Sequence, residues 1–206
     1  PWGSNSVAAL VGEDDQYMIV LKLKPGWQRE SIEFSINIIR DILNYSRFAR
    51  RLETDMKEAH AIQRSLLPQF DPEFPGYEIA ARSLAAESVG GDFYDYQKLD
   101  EDLLAFSIGD ASGHGLPAAL LVRDVVIGLR IGIEKEMKIS SIVKKLNAVI
   151  SRSRLSTKFV SMFFGELEEN GMLVYVNAGH PRPVIIKEKS EVELATGGSI
   201  LGPVID

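Results

Sequence analysis

Two aspartates offer this chain its most specific chemistry. Asp92 lies in Gly90-Gly91-Asp92-Phe93-Tyr94-Asp95. Asp110, eighteen residues later, lies in Gly109-Asp110-Ala111-Ser112-Gly113-His114-Gly115. The apolar run Leu103 to Gly109 between them reads as a buried strand, so each motif sets a carboxylate at a strand end beside glycines that let other groups approach the backbone. Two carboxylates at one sheet edge repel each other unless a cation sits between them, and hard oxygen donors suit Mg²⁺ or Mn²⁺ better than zinc. Either motif alone reads as a turn aspartate; the pair reads as a cation site.

Other chemistries fit these residues poorly. Ser112 is no nucleophile-elbow serine, because the position two before it is Asp110 rather than glycine. Pro117 suits the first turn of a following helix, which makes Ser112 a loop or cap residue. There is no Gly-Lys-Ser/Thr phosphate loop. His114 stands between two glycines, a weak setting for a metal ligand.

In this setting the sequence from Ala61 onward resembles the bacterial PPM-type serine/threonine phosphatases of the stage II sporulation protein E kind. The resemblance rests on QRSLLP (Gln63 to Pro68), ESVGGDFYD (Glu87 to Asp95), IGDASGHGLPAALL (Ile108 to Leu121) and NAGHPRPVII (Asn177 to Ile186), with a weaker GGSILGPV (Gly197 to Val204). It implies a site for two Mn²⁺ or Mg²⁺ ions that hydrolyses phosphoserine or phosphothreonine on a protein, typically an anti-sigma-factor antagonist. Carried over by position, Asp92 is one metal aspartate, Asp110 the bridging one, and Ala111 lends a backbone carbonyl. Glu87, Asp95 and His114 are candidates to hold metal-bound water. No side chain becomes phosphorylated; metal-bound water is the nucleophile. His180, in the turn Ala178-Gly179-His180-Pro181, falls near this site or serves packing. The family completes its site with a later Thr-Asp-Gly motif and a further aspartate, which do not occur up to Asp206. The expectation is therefore a fragment carrying about half of the metal site and inactive alone.

Phosphate-monoester hydrolysis needs metals for an energetic reason. Its barrier must fall by upwards of about 20 kcal/mol, and general acid–base help supplies a factor of only about 10²–10⁴. Two cations roughly 3.5–4 Å apart can generate hydroxide, clamp the phosphoryl oxygens and offset charge.

Composition fits an intracellular enzyme or binding module. The 206 residues are 45% hydrophobic, without cysteine, and carry a net charge of −6 with pI near 5.2. No dense basic run points to nucleic acid, and no signal peptide is visible. The most apolar run, Leu116 to Ile133, contains Arg123, Asp124 and Arg130, which fits a buried helix rather than a membrane span. The expected location is cytoplasmic.

The elements that must position the site divide near residue 68. Residues 1–27 contain a strand, Tyr17 to Leu23, and resemble the end of a GAF-type sensor domain. Residues 28–67 contain no Pro or Gly and read as one helix roughly 60 Å long. Its early apolar residues, Phe34 and Ile36 among them, suit docking onto a sheet. Ile38, Ile42, Tyr45, Ala49, Leu52, Met56, Ala59, Gln63 and Leu66 follow a 4-3 spacing, which suits either a homodimeric coiled coil through residues 38–66 or a helix lying on its own domain. Residues 68–206 form the phosphatase-like domain. Strands are expected at Tyr77 to Leu84, Tyr94 to Lys98, Leu103 to Ile108, Phe159 to Leu167, Met172 to Asn177, Val184 to Lys187 and Glu191 to Leu194. Helices are expected at about Pro117 to Glu136 and Ser140 to Ser153. That order gives an α+β fold, which the resemblance sharpens to a PPM-like αββα sandwich. A different class stays open: a non-catalytic signalling scaffold with a phosphatase-like domain.

Overall fold

The computed structural model describes residues 5–12, 16–84, 90–152 and 159–203. The chain forms two compact units, Pro1–Lys57 and Glu58–Asp206.

In the first unit, β1 (Ser6–Val11) and β2 (Tyr17–Lys22) pair antiparallel, Ser6 opposite Lys22 and Val11 opposite Tyr17. The strand β1 has no counterpart among the sequence expectations. Helix α1 (Arg29–Leu66) begins in this unit and ends in the second. Asn44 Oδ1 on α1 accepts a hydrogen bond from Gly12 N at 2.9 Å, and the Arg47 guanidinium lies 4.6 Å from the Tyr17 ring centroid. No residue of α1 is buried; Phe34, Ile42, Tyr45, Phe48 and Leu52 are all exposed. The early apolar residues of α1 therefore do not dock onto a sheet among the described residues.

The second unit is built on one antiparallel sheet in the order β3-β4-β5-β6: β3 (Asp92–Lys98), β4 (Leu103–Ala111), β5 (Val160–Glu168) and β6 (Leu173–Ala178). Strand alternation gives the sheet two faces. Phe93, Ala105, Ala111, Val160, Met162, Phe164 and Ala178 pack in one core cluster with Leu121, Val122, Val125 and Leu129 of α2 (Gly115–Glu134) and Ile142, Leu146 and Ile150 of α3 (Ile139–Arg152). Burying each larger apolar side chain is worth about 1.5–3 kcal/mol, so this cluster fixes the helical layer on the sheet. The other face is aromatic: Phe163 stands 5.9 Å from Phe106 and 5.2 Å from Tyr175. A small pair, β7 (Val184–Lys187) and β8 (Ser190–Glu193), follows.

The expected strand at Tyr77 to Leu84 does not form. Only a single bridge, Phe74 to Tyr77, is present there. A strand needs a ladder partner to satisfy its amides, and no neighbouring strand among the described residues supplies one. The expected α+β class holds, with one helical layer, α2 and α3, on one face of the four-stranded sheet among the described residues. Among the described residues no helix is long and apolar enough to cross a membrane.

Candidate functional site

The register of the sheet sets the site. Asp92, the first residue of β3, is the direct partner of Asp110 on β4, and Asp110 is the direct partner of Ser161 on β5. Direct partners share a face, roughly 4.5–5.5 Å apart at Cβ, and like charges so placed are unfavourable. Burial and the Asp92 charge hold the Asp110 carboxyl above its ordinary range, while His180 acts in the opposite sense.

Gly91 lets the adjoining backbone close in. Ala111 N donates to Gly91 O at 2.9 Å. A methyl group built on Gly91 would overlap Ala111 O and come within 2.7 Å of Asp110 Oδ1. The Ala111 carbonyl oxygen and an Asp110 carboxylate oxygen therefore converge on one small space that only glycine leaves open, with Asp92 next in the chain. That is a set of hard oxygen donors suited to Mg²⁺ or Mn²⁺. Among the described residues no cluster of three or more His, Cys, Asp or Glu side chains could hold a metal ion, so the donors present are part of a ligand set.

His180 completes the row. Its Nδ1 is 3.0 Å from Ser161 Oγ. Burial holds the imidazole below its ordinary pKa, against the pull of Asp110 and then Asp92. Its backbone is fixed by buried Asn177: Asn177 Nδ2 donates to His180 O at 3.0 Å, and His180 N donates to Asn177 Oδ1 at 2.8 Å. Gly179, at φ +68°, makes the turn and leaves room for Ile200, whose Cγ2 would stand 2.5 Å from any Cβ there. His180 thus lies beside the aspartate pair.

Other expected site residues fall elsewhere. Asp95 projects to the helical face, where its carboxylate is buried and gripped by Arg130: Nε donates to Oδ2 at 2.9 Å and Nη2 to Oδ1 at 2.8 Å. Asp95 is engaged there and is not brought to the Asp92–Asp110 edge, because three positions along a strand reverse the side-chain direction. Glu87 lies outside the described residues. His114 precedes α2 and lines the same cavity as Asp92 and Asp110. Ser112 extends the β4–β5 pairing, its Oγ accepting from Phe159 N at 2.8 Å and its N donating to Phe159 O at 2.8 Å.

Three further contributors are not among the site residues expected from the sequence. Ser161 sits in an apolar run, and only the register places it. Gln63 on α1 clamps the backbone of Gly90, donating from Nε2 to Gly90 O and accepting from Gly90 N at 3.1 Å. Arg130 Nη2 also donates to Leu66 O at 2.6 Å, the last residue of α1. The end of α1 is thus attached next to the Gly90-Gly91-Asp92 turn.

Residues 100–205 match the family described as Stage II sporulation protein E (SpoIIE). "Phosphoserine phosphatase RsbU" of Bacillus subtilis is 26% identical over 156 residues, covering 74% of this chain and 46% of that protein. "Protein IcfG" of Synechocystis is 32% identical over 160 residues, covering 64% of this chain and 25% of that protein. The chain spans under half the length of these relatives. The SiaA-PP2C domain of Pseudomonas aeruginosa has the same fold, with a TM-score of 0.58 at 19% identity over 75% of this chain and 64% of that one. Opposed aspartates on an antiparallel α+β sheet, together with a match over half the sequence, show that the chain belongs to the SpoIIE family of PPM-type phosphatases.

Proposed function

We propose that this chain is the catalytic part of a metal-dependent protein serine/threonine phosphatase that removes phosphate from a regulatory protein of the anti-sigma-factor antagonist type. The observation that carries the reading is the convergence of Asp110 Oδ1 and the Ala111 carbonyl on the space left open at Gly91, with Asp92 directly opposite Asp110. Asp92, Asp110 and the Ala111 carbonyl would hold two Mn²⁺ or Mg²⁺ ions together with ligands from outside the described residues. Bound divalent cations supply activation of water and neutralisation of phosphoryl charge.

This chain's own residues do the positioning. Strand pairing presents both carboxylates on one face, and the Gly91 turn presents the carbonyl beside them. Asn177 holds His180, and Ser161 orients its imidazole through Nδ1. Burial lowers the His180 pKa, which favours the neutral imidazole beside the aspartates.

Residues 1–27 would be the end of a sensor domain and residues 28–67 a linker helix, which would pair with a second copy through residues 38–66 along its exposed 4-3 seam. Exposure of Ile38, Ile42, Tyr45 and Leu52 supports this. Leu52→Asp with Met56→Asp would bury unpaired charge in such a seam and yield monomers. A chain already monomeric by light scattering at high concentration overturns the pairing.

The test of the phosphatase reading is turnover of a phosphoserine protein with Mn²⁺ or Mg²⁺, by the full-length protein. Activity should disappear with a chelator and with Asp110→Asn. Undiminished activity in excess EDTA overturns the metal mechanism.

A further inference from the structure

A cavity of about 750 Å³ opens beside the aspartate pair, and two arginines line it. Asp92 and Asp110 line it, together with the turn at Gly90 and Gly91. The last part of α1 contributes His60, Gln63 and Arg64, which share one helix face at i, i+3 and i+4. The segment Ala81 to Leu84 adds Arg82.

We infer that Arg64 and Arg82 form an oxyanion-binding subsite for the phosphorylated substrate, a reading that rests on the proposed phosphatase activity. Two observations support it. First, both residues line the cavity that contains the aspartates, and both are exposed. Second, among the described residues neither guanidinium has an ion pair or a side-chain hydrogen bond.

The charge balance gives the subsite its purpose. The chain carries −6 overall, so a phosphorylated protein meets a net repulsive field. Two permanently charged guanidinium groups at the cavity wall oppose that field locally and raise the encounter rate. Arginine also offers a planar fork that matches phosphate or carboxylate oxygens in pairs. The oxyanion could be the substrate's own phosphoryl group or a carboxylate flanking the phosphoserine.

The experiment compares the unmutated full-length protein with Arg64→Ala, Arg82→Ala and Arg64→Lys on three substrates. These are p-nitrophenyl phosphate, a phosphoserine peptide with neutral flanks, and one with acidic flanks. Each alanine variant should raise KM on the preferred substrate about tenfold, with kcat changed much less, and should flatten the dependence of kcat/KM on ionic strength. Losses on all three substrates assign the phosphoryl oxygens as the ligand; losses on the acidic peptide alone assign the flanking carboxylates. Lysine should restore the salt dependence but not the full affinity. Fluorescence anisotropy with the same peptides reads binding without turnover. Arginine-dependent binding by a protein that turns nothing over supports the subsite and removes the phosphatase reading. KM and binding unchanged within twofold in both alanine variants, or no peptide binding to the unmutated protein, overturns the subsite.

Discussion

Asp92 and Asp110 stand opposite each other across β3 and β4, two carboxylates on one face with no cationic side chain between them in the strand ladder. Nothing in this ladder offsets their repulsion, so the pair costs stability until a cation binds. Asp110→Asn should therefore raise the melting temperature of the metal-free protein while lowering phosphatase activity of the full-length protein by more than about a hundredfold. Even the loss of a hydrogen bond to a metal ligand costs about 10–100-fold, and here the ligand itself is replaced. Differential scanning calorimetry in EDTA checks the first half and steady-state assay with Mn²⁺ the second. A variant that is both less stable and fully active contradicts the assignment.

Gly91→Ala makes the sharper test of geometry. The new methyl group would collide with Ala111 O and crowd Asp110 Oδ1. The turn must then move away from β4, since the Ala111 backbone is held in the ladder. Activity should fall at least about tenfold, and Mn²⁺ affinity measured by calorimetric titration should fall with it, while the far-ultraviolet circular dichroism stays as it was. Metal affinity equal to that of the unmutated chain would show that this space is not part of the cation site.

How much of this was legible beforehand follows from where each signal lives. The glycine-flanked aspartates were readable because their chemistry depends on residue type and short spacing. The strands Leu103–Ala111, Val160–Glu168 and Leu173–Ala178 were readable because apolar and alternating runs mark a half-buried sheet. Ser161 beside His180 was not, because it takes a register between strands distant in sequence to bring Asp110 opposite it. Asp95 was misplaced because its proximity in sequence to Asp92 hides a reversal of face. The segment after Tyr77 has strand-like composition, yet no partner strand meets it. Composition reports what a residue prefers, while pairing decides what it does.

Arg130 ties three elements together, so its removal should be costly. It holds the buried Asp95 carboxylate with two hydrogen bonds and donates a third to Leu66 O at the end of α1. The same contact with Asp95 holds the Arg130 pKa above its ordinary value. Arg130→Ala leaves Asp95 buried and uncompensated, which should cost about 3 kcal/mol or more. Asp95→Asn with Arg130→Met removes both charges and should recover much of that loss. Urea denaturation of the two single variants and the double variant gives the coupling directly. Strict additivity would mean that the ion pair contributes nothing.

Glu166 makes a prediction about pH. It projects from β5 to the helical side, opposite Ala105 on β4 and Val174 on β6. The other charged groups lining the cleft there are Lys98 of β3, Asp100 just after it, Arg130 and Glu134 of α2, and Glu136 and Lys138 just after that helix. Burial alone drives the Glu166 carboxyl above its ordinary pKa; none of those charges offsets it. The folded state therefore binds a proton at a pH where the unfolded chain has already released it. Between the unfolded and folded pKa values the folded state holds more protons, so stability falls as pH rises through that window. Above the folded pKa the ionised carboxylate carries its full penalty, and below the unfolded pKa none remains. Glu166→Gln removes the charge and keeps the shape, so it should melt higher than the unmutated protein at pH 7 to 8. That advantage should shrink as pH drops through the raised pKa and vanish below the usual carboxylate range. Melting curves of both proteins from pH 4 to pH 8 test this; a difference that is constant across the series would mean that ionisation of Glu166 is not what sets it.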